Sequence, residues 1–253
     1  MSMDRSGKQD WKGYAMRLFD GLLLRIPFIS EFFNQGLSKS MGLLAAFHLL
    51  SRIELEGDYL EFGVFRGNTF RGAVRAAQQG YRATKEGRFP GRFIAFDSFA
   101  GLPQVASMGD GVNPYAKGEF SASRADFEKN LGKVLARSRV EIVSGWFEET
   151  LTAQTAESLG LRKAVFVNID CDLYESTLPV LEFVTPLLQT GTILYFDDWF
   201  SYRGSMDHGE PRAAREWLQR HPTIRLVDYR NVGITGKMFV VNVVGGNATA
   251  GVT

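Results

Sequence analysis

Apolar residues in this chain fall into two patterns that take turns. Short, near-continuous runs read as strands: DYLEF at 58–62, RFIAFD at 92–97, RVEIV at 139–143, AVFVNID at 164–170 and TILYFD at 192–197. Between and after them, residues 68–79, 124–135, 176–188 and 212–220 have helical composition or spacing. In 124–135 the repeat is carried by Phe127, Leu131, Val134 and Leu135. Pro179 stands near the start of 176–188, where a first helical turn accepts it. The 164–170 run is near-continuously apolar, as a strand buried on both faces should be. Two last runs, 224–229 and 237–243, lie close together across Gly233 and Gly236, too near for an intervening helix, and should pair antiparallel. The alternation predicts an α/β fold: a mostly parallel seven-stranded sheet with an antiparallel C-terminal strand and helices on both faces.

In such sheets ligands bind beyond the carboxyl ends of the strands. Gly63, Asp97, Gly145 and Asp170 fall there, followed by Asp197 and Asp198. A random core would not readily place glycines and acids at successive strand ends.

Length and composition fit one globular domain: 253 residues, 45% hydrophobic and 23% charged. Residues 1–55 read as a helical N-terminal segment, 56–245 as the α/β domain and 246–253 as a frayed, small-residue tail. The net charge of +1 gives no reason to expect nucleic acid or an anionic membrane as partner. Cys171, the single cysteine, excludes an internal disulfide and a cysteine-rich zinc site, and suits a reducing compartment. The apolar runs at 21–30 and 41–50 are shorter than the roughly 20 residues that a spanning helix needs. The first ten residues lack a signal-peptide core. No transmembrane segment is expected, and the cytoplasm is the expected setting. A docking role for 19–33, on a partner subunit or a membrane surface, is the alternative to that stretch covering its own domain.

The segment from Glu61 through Gly63, Val64, Phe65 and Arg66 to Gly67 leaves a strand and opens a helix. Its glycines permit a tight turn and close approach of a ligand to the backbone, although a glycine turn after a strand is often only a turn. A dinucleotide loop would read G-x-G-x-x-G; here bulky residues stand where a pyrophosphate would lie. Glu61 is badly placed for a phosphate but suits a cationic amino-acid moiety. Asp97 at the next strand end can accept from both hydroxyls of a ribose, or cap a helix. Gly145, Trp146 and Phe147 follow the third strand, where the two rings could wall an adenine or simply belong to the core. Together these favour S-adenosylmethionine over NAD.

Asp170 and Asp172 leave the fourth strand, and Asp197 and Asp198 end the next. Converging carboxylates repel and raise one another's pKa unless a cation joins them. An all-oxygen donor set selects Mg²⁺ or another hard divalent ion over zinc. Such an ion lowers the pKa of an alcohol and orients its oxygen for attack on a sulfonium methyl, while a base takes the proton.

The chain resembles the macrocin and mycinamicin type of sugar O-methyltransferase, a family that includes the noviose methyltransferase of novobiocin synthesis. The resemblance rests on LEFGVFRGNTF (60–70), FIAFDSFAGLP (93–103), GEFSAS (118–123), VSGWFEETL (143–151), the block from VNIDCDLYEST to DDW (167–199) and GEPRAAREWL (209–218). It implies a class I methyltransferase, Rossmann-like fold, with S-adenosylmethionine and Mg²⁺. It implies metal ligation by Asp170, Asp197 and Asp198, and cofactor contacts from Glu61, Gly63, Asp97, Ser98 and Gly145 to Phe147. Macrolide-modifying members use a histidine base ahead of the GEFSAS-like segment, but residues 108–117 contain none. His208, Asp170 and Asp172 are the remaining candidates for the base. Tyr174, Tyr202, Arg203 and His208 are candidates for the acceptor rim. The N-terminal region, which matches least, would shape the acceptor pocket and a homo-oligomer interface. The expected acceptor is a sugar hydroxyl of a glycosylated metabolite, nucleotide sugar or glycan. The alternatives are a catechol-type acceptor, an NAD(P)-dependent oxidoreductase and a non-catalytic nucleoside-binding or scaffold protein.

Overall fold

The computed structural model describes residues 32–104, 115–134 and 138–245. The 246–253 tail, most of the 19–33 run and residues 108–114 lie outside the described residues. The seven strands are β1 (Asp58–Phe62), β2 (Phe93–Asp97), β3 (Val140–Ser144), β4 (Ala164–Ile169), β5 (Ile193–Phe196), β6 (Ile224–Val232) and β7 (Gly236–Val243). They form one sheet in the order β3-β2-β1-β4-β5-β7-β6. β1 to β5 pair in parallel, and β7 is antiparallel to both of its neighbours. The alternation of apolar runs and helical segments is therefore realised as expected. Among the described residues no helix is long and apolar enough to cross a membrane.

Side-chain alternation along the strands divides the core between the two faces of the sheet. Tyr59 and Phe93 pack on one face with Phe47 of α1 (Ser38–Arg52), Phe70 of α2 (Asn68–Gly80) and Phe127 of α3 (Arg124–Leu131). The short helices α4 (Phe147–Thr150) and α5 (Ala153–Ser158) follow β3. Leu60, Phe62, Ile94 and Phe96 pack on the other face with Val180 and Leu181 of α6 (Tyr174–Val184) and Trp217 of α7 (Gly209–Arg220). β4, in the middle, is buried at every position, which explains a sequence that is apolar but for Asn168.

Two of the departures from the expected helix limits have a clear local cause. α3 stops at Leu131 because Gly132 turns the chain at φ +49° and returns its N–H to Glu128. α6 begins at Tyr174, earlier than 176, so Pro179 sits in the second turn rather than the first. The early start follows from Asp172, whose φ of +62° swings the chain out of β4 and lets the Leu173 carbonyl accept from Ser176 and Thr177.

Candidate functional site

The tips of β1 and β4 come so close that only glycine fits between them. Gly63 has φ +83°, and a Cβ there would lie 1.8 Å from the Asp170 carbonyl oxygen. Its N–H donates to Phe96 on β2, and the Asp170 N–H donates to Phe62 on β1. The glycine turn is thereby pinned between two neighbouring strands.

Asp97 holds the same turn. Its Oδ2 accepts from the backbone N–H groups of Val64 (2.7 Å) and Phe65 (2.9 Å), and Oδ1 accepts from Phe99 N–H (2.6 Å). A carboxylate offers about four acceptor positions, so capacity for a further donor is left on Oδ1. Gly63, Val64, Phe65, Asp97, Ser98, Trp146 and Phe147 all line one cavity of about 630 Å³, which also reaches Asp170, Asp172, Asp197 and Asp198. Trp146 is 37% exposed at the cavity, while Phe147 rests edge-on against Phe62. The nucleoside-type residues and the acidic residues thus share one hollow of ordinary ligand size.

Glu61, Arg66, Gly67, Gly145 and His208 do not line it. Arg66 lies over the Phe65 ring, and Gly67 takes a left-handed turn against Phe127 to start α2. Gly145 donates its N–H to the Asp97 carbonyl. His208 precedes α7, bonds Ser205 through Nδ1 (3.0 Å) and stacks on Tyr202. Tyr174 donates to Glu216 and lies under the Arg212 guanidinium, and Tyr202 donates to the Asp172 carbonyl.

Glu61 lies beneath the cavity, 1% exposed, with Oε2 accepting from the Tyr59 hydroxyl and Oε1 unpartnered among the described residues. Asn168 faces it in register across the β1–β4 pair. Burial pushes the Glu61 carboxyl up to about 8, with Tyr59 and Asn168 pulling the other way. Between an ordinary value of 4.5 and about 8 the folded chain therefore holds a proton that the unfolded chain has released. This contribution to stability is complete below about pH 4.5 and is lost as pH rises to about 8. Glu61→Gln should flatten that part of the profile, seen as a smaller difference between urea midpoints at about pH 5 and about pH 8 than in the unsubstituted chain.

The acidic cluster is built from β4, β5 and the loops around them. One carboxylate oxygen from each of Asp170, Asp197 and Asp198 lies within 4.8 Å of the others, a spacing that one ion can bridge. Tyr195 donates to Asp197 Oδ1, and Lys39 of α1 donates to Oδ2 at 2.6 Å. Asp198 Oδ1 accepts from Tyr115 and Ser201, both at 2.7 Å, and its Oδ2 is buried without a partner among the described residues. The Asp198 N–H donates to Glu210 Oε2 at 2.9 Å. Desolvation, and then repulsion from Asp197, raises the pKa of Asp170 and of Asp198. Asp172 is pushed up to about 9 by burial and the charge of Asp198. Each shift registers the cost of gathering acids without enough positive charge.

Lys39, Tyr115, Tyr195, Ser201 and Glu210 were not singled out by the sequence reading. Tyr195 and Glu210 leave some trace in it: a tyrosine two positions before the strand-end acid, as in Tyr59–Glu61, and an acid in the first turn of α7. Lys39 and Tyr115 leave none.

The macrocin O-methyltransferase (TylF) family model matches residues 39–223, well over half of the chain. A 4'-O-methyltransferase acting on 8-demethyl-8-(2,3-dimethoxy-alpha-L-rhamnosyl)-tetracenomycin C, from Streptomyces olivaceus, is 30% identical over 155 residues, 56% of this chain and 53% of that protein. The demethyldecarbamoylnovobiocin O-methyltransferase of Streptomyces niveus is 29% identical over 152 residues, with the same shares. The chain thus spans about half the length of the relatives it matches. In fold it is similar to the O-methyltransferase NovP (TM-score 0.62, 20% identity, 80% of this chain and 79% of that one). It is also similar to the calicheamicin methyltransferase CalS11 (TM-score 0.60, 22% identity, 92% and 93%). The sheet order, the antiparallel β7 and these likenesses make the fold that of a class I methyltransferase. The chain belongs to the macrocin O-methyltransferase family.

Proposed function

We propose that this chain is an S-adenosylmethionine-dependent O-methyltransferase that methylates a sugar hydroxyl of a glycosylated small molecule with the help of Mg²⁺ or a similar ion. The observation that carries the reading is the convergence, in one cavity of about 630 Å³, of the Gly63–Asp97–Trp146 wall with three aspartates whose oxygens lie within 4.8 Å of each other. The all-oxygen donors and the unpartnered, buried Asp198 Oδ2 suit a hard divalent ion. Asp170, Asp197 and Asp198 would hold it, and it would supply Lewis acidity to an acceptor hydroxyl. The relative from Streptomyces olivaceus acts on a rhamnosyl-bearing compound, which supports the acceptor class.

In this reading Asp97 keeps the glycine turn in shape and offers its remaining acceptor position to a ribose hydroxyl. Trp146 and Phe147 cover the base, and Val64 and Phe65 keep water from the cofactor's other side. Glu61 sets the electrostatics under the amino-acid end. The base role goes to Asp170 or Asp172, which line the cavity, rather than to His208, which does not. A cytoplasmic setting and a homo-oligomer belong to the same proposal. The lone, buried Cys171 thiol supports the first, and the exposed Leu37, just before α1, and Met41, on α1, support the second.

Calorimetry with S-adenosylhomocysteine, paired with methyl transfer to panels of glycosides and catechols with and without Mg²⁺, tests the reading. Micromolar or tighter binding and Mg²⁺-stimulated glycoside methylation are expected. Preference for catechols would overturn the acceptor class, and tight NAD binding without a Mg²⁺ response would overturn the whole. Asp97→Asn leaves one backbone N–H of the turn facing an amide NH₂, a loss of about 1–3 kcal/mol. S-adenosylhomocysteine binding should weaken about 10- to 100-fold in the same calorimeter.

A further inference from the structure

Lys39 is the one cationic side chain among the described residues that line the cavity. It comes from the first turn of α1, and that turn is fastened to the β6–β7 connection. The Ser38 hydroxyl accepts from Gly233 N–H at 2.9 Å, and Gly42 packs against the Val232 side chain. From this anchorage Lys39 Nζ reaches across to Asp197 Oδ2 at 2.6 Å. Tyr195 already holds Oδ1, so both oxygens of Asp197 are engaged. A divalent ion bridging Asp170, Asp197 and Asp198 would approach a carboxylate that an ammonium already occupies. Two cations on one oxygen stand only a few ångströms apart, and in a partly desolvated crevice their repulsion is severe.

We propose that Lys39 is a resident counter-cation of the acidic site, which holds Asp197 until a divalent ion takes its place, so that ion entry and release of Lys39 from Asp197 are one exchange. The proposal rests on the metal reading above and adds what tunes that site. Lys39 keeps the carboxylates gathered before the ion arrives and lowers the ion's net affinity. It also ties α1 to the loading state of the centre. Lys39 acts through Asp197 and is a positioning residue.

The test uses Mn²⁺ alone as probe. Calorimetric titrations of the unsubstituted chain, Lys39→Met and Lys39→Gln are compared, with S-adenosylhomocysteine affinity reporting that each variant is folded. Both variants should bind Mn²⁺ about tenfold or more tightly, the scale of a lost charge-assisted hydrogen bond, with the nucleoside affinity kept within about twofold. In the unsubstituted chain, Mn²⁺ should also speed acylation of the Lys39 amine, followed by peptide mass spectrometry. Equal or weaker Mn²⁺ binding by the variants overturns the proposal, as does an acylation rate indifferent to Mn²⁺. Absence of Mn²⁺ binding in all three chains overturns the metal reading itself and this inference with it.

Discussion

Asp198→Asn should lower kcat/KM for methyl transfer on the order of a thousandfold while leaving S-adenosylhomocysteine affinity within a few fold. Asp198 is fixed from three directions, by Tyr115 and Ser201 at Oδ1 and by Glu210 at its N–H, so its position does not depend on an ion. The substitution keeps size and shape. It replaces a carboxylate oxygen by carbonyl or NH₂ and removes one negative charge of the nest. A Lewis-acid centre supplies several kcal/mol to a reaction of this kind, and each 1.36 kcal/mol is about tenfold in rate. Initial rates at saturating cofactor, across a Mg²⁺ series, give the number. Retention of more than about a tenth of the activity would mean that Asp198 does not serve a metal. Conversely, activity that chelation by EDTA abolishes and Mg²⁺ restores would support the assignment in the unsubstituted chain.

The second large effect is on the fold. Gly63→Ala should destabilise the chain by about 3 kcal/mol or more, from a left-handed backbone cost of ~1–2 kcal/mol plus overpacking of ~1–3 kcal/mol. The obstacle is backbone, since the new Cβ would meet the Asp170 carbonyl at 1.8 Å, and no rotamer change relieves it. One of the strand tips must move, and those tips carry the Asp97-bound turn and the first of the three aspartates. A fall in Tm of about 10 °C is expected for a chain of this size, with loss of S-adenosylhomocysteine binding. Scanning calorimetry checks the first and titration the second. A variant with unchanged Tm would show that the β1 and β4 tips do not meet as described.

The strands were legible because burial on both faces of a parallel sheet leaves little freedom: β4 is buried at every position and is apolar at all but Asn168. The strand-end acids were legible for a related reason. Asp170 and the Asp197–Asp198 pair follow directly on runs that are apolar but for Asn168 and the Tyr195 hydroxyl, and parallel neighbours bring such ends together. The sequence does not reveal side chains that arrive from distant elements. Lys39 meets Asp197 over a separation of 158 residues, and Tyr115 meets Asp198 over 83. Local pattern carries no trace of either pairing. His208 attracted notice as a lone titratable group after the DDW block, yet its backbone begins α7 and its ring turns to Ser205 and Tyr202. Asp97 shows a subtler lesson. It sits at the expected strand end, but three backbone N–H groups claim it, so shaping the turn is as much its task as meeting a ribose.

The strand order also governs how the chain is made. β1 pairs with β4, residues 58–62 against 164–169, and only β6 and β7 form a sheet pair joined by a tight local connection. Closing so long a loop costs entropy before any contact repays it, so the central pairing is a slow event that no hairpin can nucleate. The hollow at the tips of those two strands is accordingly among the last parts to take shape. A nascent chain released before residue 170 would have neither half of the nest, and a nucleoside added during refolding could capture the finished sheet but not hasten its assembly.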